Sequence, residues 1–196
     1  DLHTAITRLG INYSCNLAIG LVMEQIFHAR SDVVEQKMRD VWRKSLEIAG
    51  VSYALCRSHT RLKPDQAALG GLVHQIGVLP ILTYAEDHYE LLSDPVSLNH
   101  VIDQIHPLIG EKLLRVWEFP DMLVHVPRLY LNFKRQSAQV DYVDLVQVAS
   151  LYCLQDTDHP LARTDALNVP AYRALGIDFD DAAMCADLEE TRTMFY

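Results

Sequence analysis

Two histidines stand in settings that could do chemistry. His74 lies in Gly70-Gly71-Leu72-Val73-His74-Gln75-Ile76-Gly77, an apolar segment whose glycines permit close helix approach. Its imidazole is expected to point inward or to line a pocket. His106 precedes Pro107-Leu108-Ile109-Gly110, with Leu113, Leu114, Trp117 and Pro120 beyond it. It is expected just before a helix start, facing a cavity. An imidazole so placed can ligate a metal, move a proton, or satisfy a buried hydrogen bond. The last is the ordinary reading of His74, and helix capping is the ordinary reading of His106. His3, His28, His59, His88, His100, His125 and His159 share no ligand spacing and read as surface or capping residues.

Other chemistries find less support. Cys15, Cys56, Cys153 and Cys185 are widely spaced, without a CxxC or CxxH pair, and each has apolar neighbours. They read as small buried hydrophobes rather than disulfide or zinc partners, which points to the cytoplasm. Ser45, Ser52 and Ser58 have no histidine at a productive spacing, and there is no G-x-S-x-G elbow, P-loop or G-x-G-x-x-G. Asp180-Asp181 and Glu189-Glu190 read as solvated charge on an exposed acidic helix.

The elements that must position the histidines are helical. Val34, Met38, Val41, Ser45, Ile48, Ser52 and Leu55 step by three and four along one face, and Trp42, Ala49, Tyr53 and Cys56 widen that face. Asp32 with Glu35 has the spacing of a capping box at the start of this long helix. Pro64, Pro95 after Asp94, Pro107 and Pro120 mark further starts. Helical patterns also cover Tyr13–His28, Asp141–Leu154, Val169–Leu175 and Asp178–Met194, with Gly10, Gly20 and Gly176 ending or interrupting turns. Lys134–Gln139 and Asp156–Ala166 are polar connections. No alternating strand pattern or hairpin dipeptide occurs, so an all-α bundle is expected. Residues 1–155 would form the compact multi-helix body, and 156–196 a short helical appendage packing on the same domain.

Composition sets the outer bounds. The 196 residues carry 17 Lys and Arg against 26 Asp and Glu, a net charge of −9. That balance excludes a general nucleic-acid binder, which needs a basic face to displace phosphate counterions. The apolar run Leu69–Ala85 is interrupted by His74, Gln75 and Pro80 and falls short of the ~20 residues of a membrane span. No signal peptide is visible, and the chain begins at Asp1.

Five segments resemble, in order, the HDOD domain, a relative of the HD phosphohydrolases. Ala5-Ile6-Thr7-Arg8-Leu9-Gly10 is similar to an A-I-x-x-L-G motif partway into that domain. Trp42-Arg43-Lys44-Ser45 with Ala49 resembles its W-x-H-S-x-x-x-A segment, and Gly71 to Gly77 its G-L-L-H-D-I-G. His106 to Gly110 through Trp117-Glu118-Phe119-Pro120 is similar to H-x-x-x-G … W-x-L-P. Pro170 to Ile177 resembles the closing P-A-Y-x-x-L-G-L. By this resemblance the family's first helices would lie upstream of Asp1.

The resemblance implies an HD-like helical fold and asks what remains of a metal site. Active HD enzymes hold divalent metals on His and Asp side chains and use them to acidify water and neutralise a phosphoryl group. By resemblance the first histidine position falls on Lys44 and the doublet's aspartate on Gln75; a later histidine pair falls on Tyr130 and Leu131, and a final aspartate near Ser150. His74 and His106 alone remain as ligands, so no metal or other cofactor is expected. A vestigial cavity lined by His74, Gln75, His106 and Lys44 is expected instead, open to a nucleotide or metabolite. Lys44 on its own reading snorkels or pairs with Asp40 or Glu47.

The expected function is therefore a non-catalytic, cytoplasmic, bacterial regulatory module. It would bind a signalling protein or an adjoining regulatory domain, such as a receiver or a cyclic-diguanylate enzyme, or a small ligand. A metal-dependent phosphohydrolase with a depleted site is the alternative; it needs Asp103 or Glu111 to reach the two histidines. A structural or dimerisation domain is the third reading. Sequence leaves the oligomeric state open.

Overall fold

The longest helix organises the protein. Helix α1 spans Asp32–His59 and buries Val34, Met38, Ser45, Ile48, Ala49, Ser52, Leu55 and Cys56, the stripe its periodicity predicts. The structure, a computed structural model, describes Ala18, Gln25, residues 28–155, 157, 159–177 and 182–193. The expectations for Gly10, Gly20, Cys15, Asp180-Asp181 and most of Tyr13–His28 lie outside the described residues. Every regular element among the described residues is helical, the class expected.

The cap of α1 differs from expectation. Ser31 is the N-cap, its hydroxyl accepting from the Val34 amide at 3.4 Å, whereas Asp32 and Glu35 occupy the first turn. A tertiary contact explains the shift. Glu86 accepts from the Arg30 amide at 2.8 Å, the Ser31 amide at 2.9 Å and the Ser31 hydroxyl at 3.0 Å, which fixes where the helix begins. Acids in the first turn still favour it through the helix dipole.

Helices α2 (Pro64–Val73) and α3 (Val78–Glu86) follow, joined by a turn at 74–77. The apolar run here is longer than the sequence reading allowed. Pro64–Glu86 reaches a mean hydropathy of 1.4, enough by length and composition to cross a membrane, but 78% of that window is buried inside the protein. The break at His74–Gly77 divides it into two core helices packed on α1 and its neighbours.

Helix α4 (Tyr89–Leu92) leads to α5 (Pro95–Val116), where Asp94 accepts from the amides of Val96 and Ser97 at 3.1 and 3.2 Å. Pro107 does not start a helix: it lies inside α5. An internal proline forfeits one i→i−4 bond and costs about 3 kcal/mol. Burial of Leu98, His106 and Leu114 on either side offsets that loss and carries the helix through. The Pro120 signal does mark a start, as N-cap of α6 (Asp121–Val124), followed by α7 (Val126–Leu129).

Helix α8 (Tyr142–Leu154) carries a full capping box, Asp141 with Asp144, and runs through the core. Two 3₁₀ turns, Pro160–Arg163 and Ala166–Asn168, then lead to α9 (Pro170–Leu175). That helix stops at Gly176, whose φ of 62° is a left-handed cap that favours glycine. Helix α10 (Ala182–Thr193) lies along α1, tied by Arg57–Asp187 at 2.8 Å and Arg192–Glu47 at 3.0 Å.

Candidate functional site

Glycines set the geometry around His74. A β-carbon on Gly71 would lie 2.6 Å from the Ala49 Cα of α1. One on Gly77 would lie 2.1 Å from the His106 carbonyl oxygen and 2.6 Å from the Gly110 nitrogen of α5. The 71–77 segment is thus pinned to α1 at one end and to α5 at the other. Only residues without a side chain allow backbones this close. His74 sits between the two contacts, and His106 enters from the second.

The histidines meet on a tyrosine. His74 is 1% exposed, His106 2% and Tyr130 3%. The Tyr130 ring meets the His74 ring edge-on, centroids 4.9 Å apart at 85°, and stands 6.1 Å from that of His106. His74 Nδ1 lies 2.6 Å from the Gly71 carbonyl oxygen; it must donate there, which leaves the lone pair on Nε2. His106 Nδ1 is buried with no partner among the described residues. Gln75 Nε2 donates to the Tyr130 hydroxyl at 3.4 Å.

Burial dictates the charge state of this cluster. Desolvation pushes His74 down to about 4, reinforced by His106 and Lys44 and opposed by the Gly71 hydrogen bond. Desolvation also pushes His106 down to about 4, against a weaker upward pull from Asp103. Burial raises the Tyr130 phenol, so it stays protonated. At neutral pH all three rings are uncharged.

The expected site residues are distributed as follows. His74 and His106 converge on Tyr130, and Gln75 bonds to it. Lys44 is exposed on α1, within electrostatic reach of His74 and His159. Its expected acid partners are engaged elsewhere: Arg43 and Gln36 hold Asp40 at 3.1 and 3.2 Å, and Arg192 holds Glu47.

His159 does cap, accepting from the Leu161 amide at 3.2 Å, yet it also feels Lys44 and Asp103. That second position was invisible because some 85 residues of sequence separate it from His74. Tyr130 entered the sequence analysis only as the replacement for an expected ligand; its role as the shared ring surface follows from packing. Ser150, near the position of the last expected ligand, turns its hydroxyl to the Val146 carbonyl at 2.7 Å.

A divalent metal does not fit these donors. Among the described residues no group of three or more His, Cys, Asp or Glu side chains could hold one. The Tyr130 ring packs against both imidazoles, and the oxygens of the cluster are a neutral phenol and a neutral amide rather than the carboxylates that hard cations favour. Glu111, one of the carboxylates considered for this role, turns away. It binds Arg115 at 2.8 Å, His125 at 3.0 Å and Arg128 at 3.3 Å.

Comparison with known proteins agrees on the architecture. The family model for the HDOD domain matches residues 1–130. A crystal structure from Shewanella amazonensis SB2B, of a protein described as a candidate metal-dependent phosphohydrolase, superposes with a TM-score of 0.80. The two are 24% identical over all of this chain and 73% of that one, a likeness of fold. No curated protein matches.

Proposed function

We propose that this chain, which belongs to the HDOD domain family, is a regulatory module of bacterial signal transduction that works by binding rather than by hydrolysis. One observation carries the reading. Two buried, neutral imidazoles close on a protonated tyrosine, and among the described residues no carboxylate is hydrogen-bonded to them, Asp103 acting on His106 and Tyr130 only through its field. Phosphoester hydrolysis of the metal-assisted kind needs a cation to acidify water and to neutralise developing charge. This cluster offers hydrogen bonds instead. The buried Nδ1 of His106, without a partner among the described residues, is the hydrogen-bonding position a small polar ligand would use, and the exposed Lys44, within electrostatic reach of His74, would favour an anionic one.

The test is elemental analysis of tag-free protein after incubation with Mn²⁺, Fe²⁺ and Zn²⁺, paired with phosphoester turnover and a thermal-shift series of nucleotides. The expected result is substoichiometric metal, no turnover, and a stabilising nucleotide whose effect His106→Ala removes. Stoichiometric metal that is lost in His74→Ala, with turnover, overturns the reading.

A further inference from the structure

A cavity of about 450 Å³ opens beside the first half of α1, and none of the histidine-cluster residues lines it. Glu35, Met38, Arg39 and Trp42 stand at i, i+3, i+4 and i+7, so one face of the helix forms its wall. Leu79 of α3 and Ala29, two residues ahead of the Ser31 cap, line it from outside that helix. Protein interiors leave few voids larger than a water molecule. A space this size, with an apolar floor and a few polar groups, has the dimensions and make-up of a small-molecule site.

The lining changes character from floor to rim. Met38 and Leu79 are 8% and 6% exposed, so the floor is apolar and almost out of water. Trp42 is half-buried: it packs on the hydrophobic core and also lines the cavity. An indole beside a thioether suits a flat ring, since offset stacking and sulfur–aromatic contact both reward planarity. Glu35 and Arg39 pair with each other one turn apart, with half or more of each side chain in solvent. Their charges cancel, and together they offer acceptors and donors to the edge of a ring. His28, also in the lining, is exposed.

We propose that this cavity binds a small, uncharged heteroaromatic molecule, its ring stacked on Trp42 over Met38 and Leu79 and its polar edge at Glu35 and Arg39. An anion would meet the Glu35 carboxylate and a cation the Arg39 guanidinium, so neither sign of charge is favoured. A saturated ring of the same size would forgo the stacking on Trp42. The proposal does not depend on what the His74–His106 cluster binds.

The chain has two tryptophans, so Trp117→Phe in the full 196-residue protein leaves Trp42 as its single indole. That protein is titrated with adenine and nicotinamide, and with benzoate and cyclohexanol as the charged and the saturated counterparts. At least one of the first two should quench the Trp42 emission saturably, and both counterparts should bind about tenfold or more weakly than it. Calorimetry on the unaltered chain should show the same ligand binding. Trp42→Leu, which removes the ring wall, and Ala29→Leu, which fills the space, should each weaken it about tenfold or more. Matching thermal melts show that the variants fold, and Ala29→Leu decides alone should Trp42→Leu fail. Binding of neither adenine nor nicotinamide overturns the proposal, as does binding that survives in Ala29→Leu. So does benzoate or cyclohexanol binding as tightly as the rings, or binding that His106→Ala removes and Trp42→Leu keeps.

Discussion

Helix α5 carries two polar clusters five residues apart that solve opposite problems. His106 faces inward, into a site where every ring is neutral and one ring nitrogen has no partner among the described residues. Glu111 lies at the protein's edge, ionised and shared by three basic side chains. The difference follows from water. Inside, the Gly71 carbonyl and Asp103 offset desolvation only in part, so the imidazoles give up their protons. At the edge, arginines with solvated outer faces keep a nearly buried carboxylate charged. One helix thus joins a neutral, hydrogen-bonding interior to a charged edge.

The sharpest way to break the interior cluster is to part its backbones. Gly77→Ala would place a methyl 2.1 Å from the His106 carbonyl, against helix backbone that cannot move cheaply. A loss of about 3 kcal/mol or more is expected in urea unfolding, at the upper end of overpacking effects. Gly176→Ala provides the control. Its β-carbon meets nothing within 4 Å and suffers only from a φ of 62°, so about 1 kcal/mol is expected.

Acid tests the neutrality of the same cluster. Both histidines drop from 6.5 to about 4 in the fold. The unfolded chain therefore takes up protons that the folded chain refuses. Their contribution is complete above pH 6.5 and is lost as pH falls towards 4. At up to about 3 kcal/mol for each histidine, most of it gone by pH 4, the loss should dominate the acid limb of an unfolding curve. His106→Asn should remove roughly half of that pH dependence. An unchanged curve would mean that the imidazoles are solvated, and the interior half of the comparison would fail.

The two rings should also separate from each other. His74→Phe strands the Gly71 carbonyl and is expected to cost about 1–3 kcal/mol. His106→Leu removes a nitrogen that has no partner among the described residues, so a change within about 0.5 kcal/mol is expected without ligand, since an unpaired polar atom contributes no hydrogen bond to lose. Equal losses in both variants would reveal a hidden partner for His106, and thermal denaturation suffices to read it.

Periodicity and spacing disclosed much of the fold and part of the site. The α1 stripe, the helix start at Pro95 after Asp94, the helix over Asp141–Leu154 and the Gly176 stop were legible because each rests on neighbours in sequence, whereas the Asp141 capping box was not read. The Ser31 cap and the passage of α5 through Pro107 were not. Glu86 dictates the first from 55 residues away, and packing on Gly77 surrounds the second. In the site, His74 and His106 were visible as histidines among apolar residues. The joining of Tyr130 to them, and the turning of Glu111 away from them, depend on α6 and α7 folding back against α5, which no local pattern encodes.

The smallest effect probes the outer cluster, where solvent blunts everything. Glu111→Gln keeps the shape but removes the charge that Arg115, His125 and Arg128 share. Their mutual repulsion is screened because each is about half exposed, so a loss of only about 1 kcal/mol is expected, less than for a fully buried pair. Salt gives the diagnostic. In the native protein, salt weakens attraction around Glu111, whereas in Glu111→Gln it relieves repulsion among the cations. The variant's deficit should therefore shrink as ionic strength rises to about 1 M, where the Debye length is about 3 Å. A deficit that stays constant with salt would make Glu111 a packing residue, and the contrast between a neutral interior and a charged edge would lose its outer half.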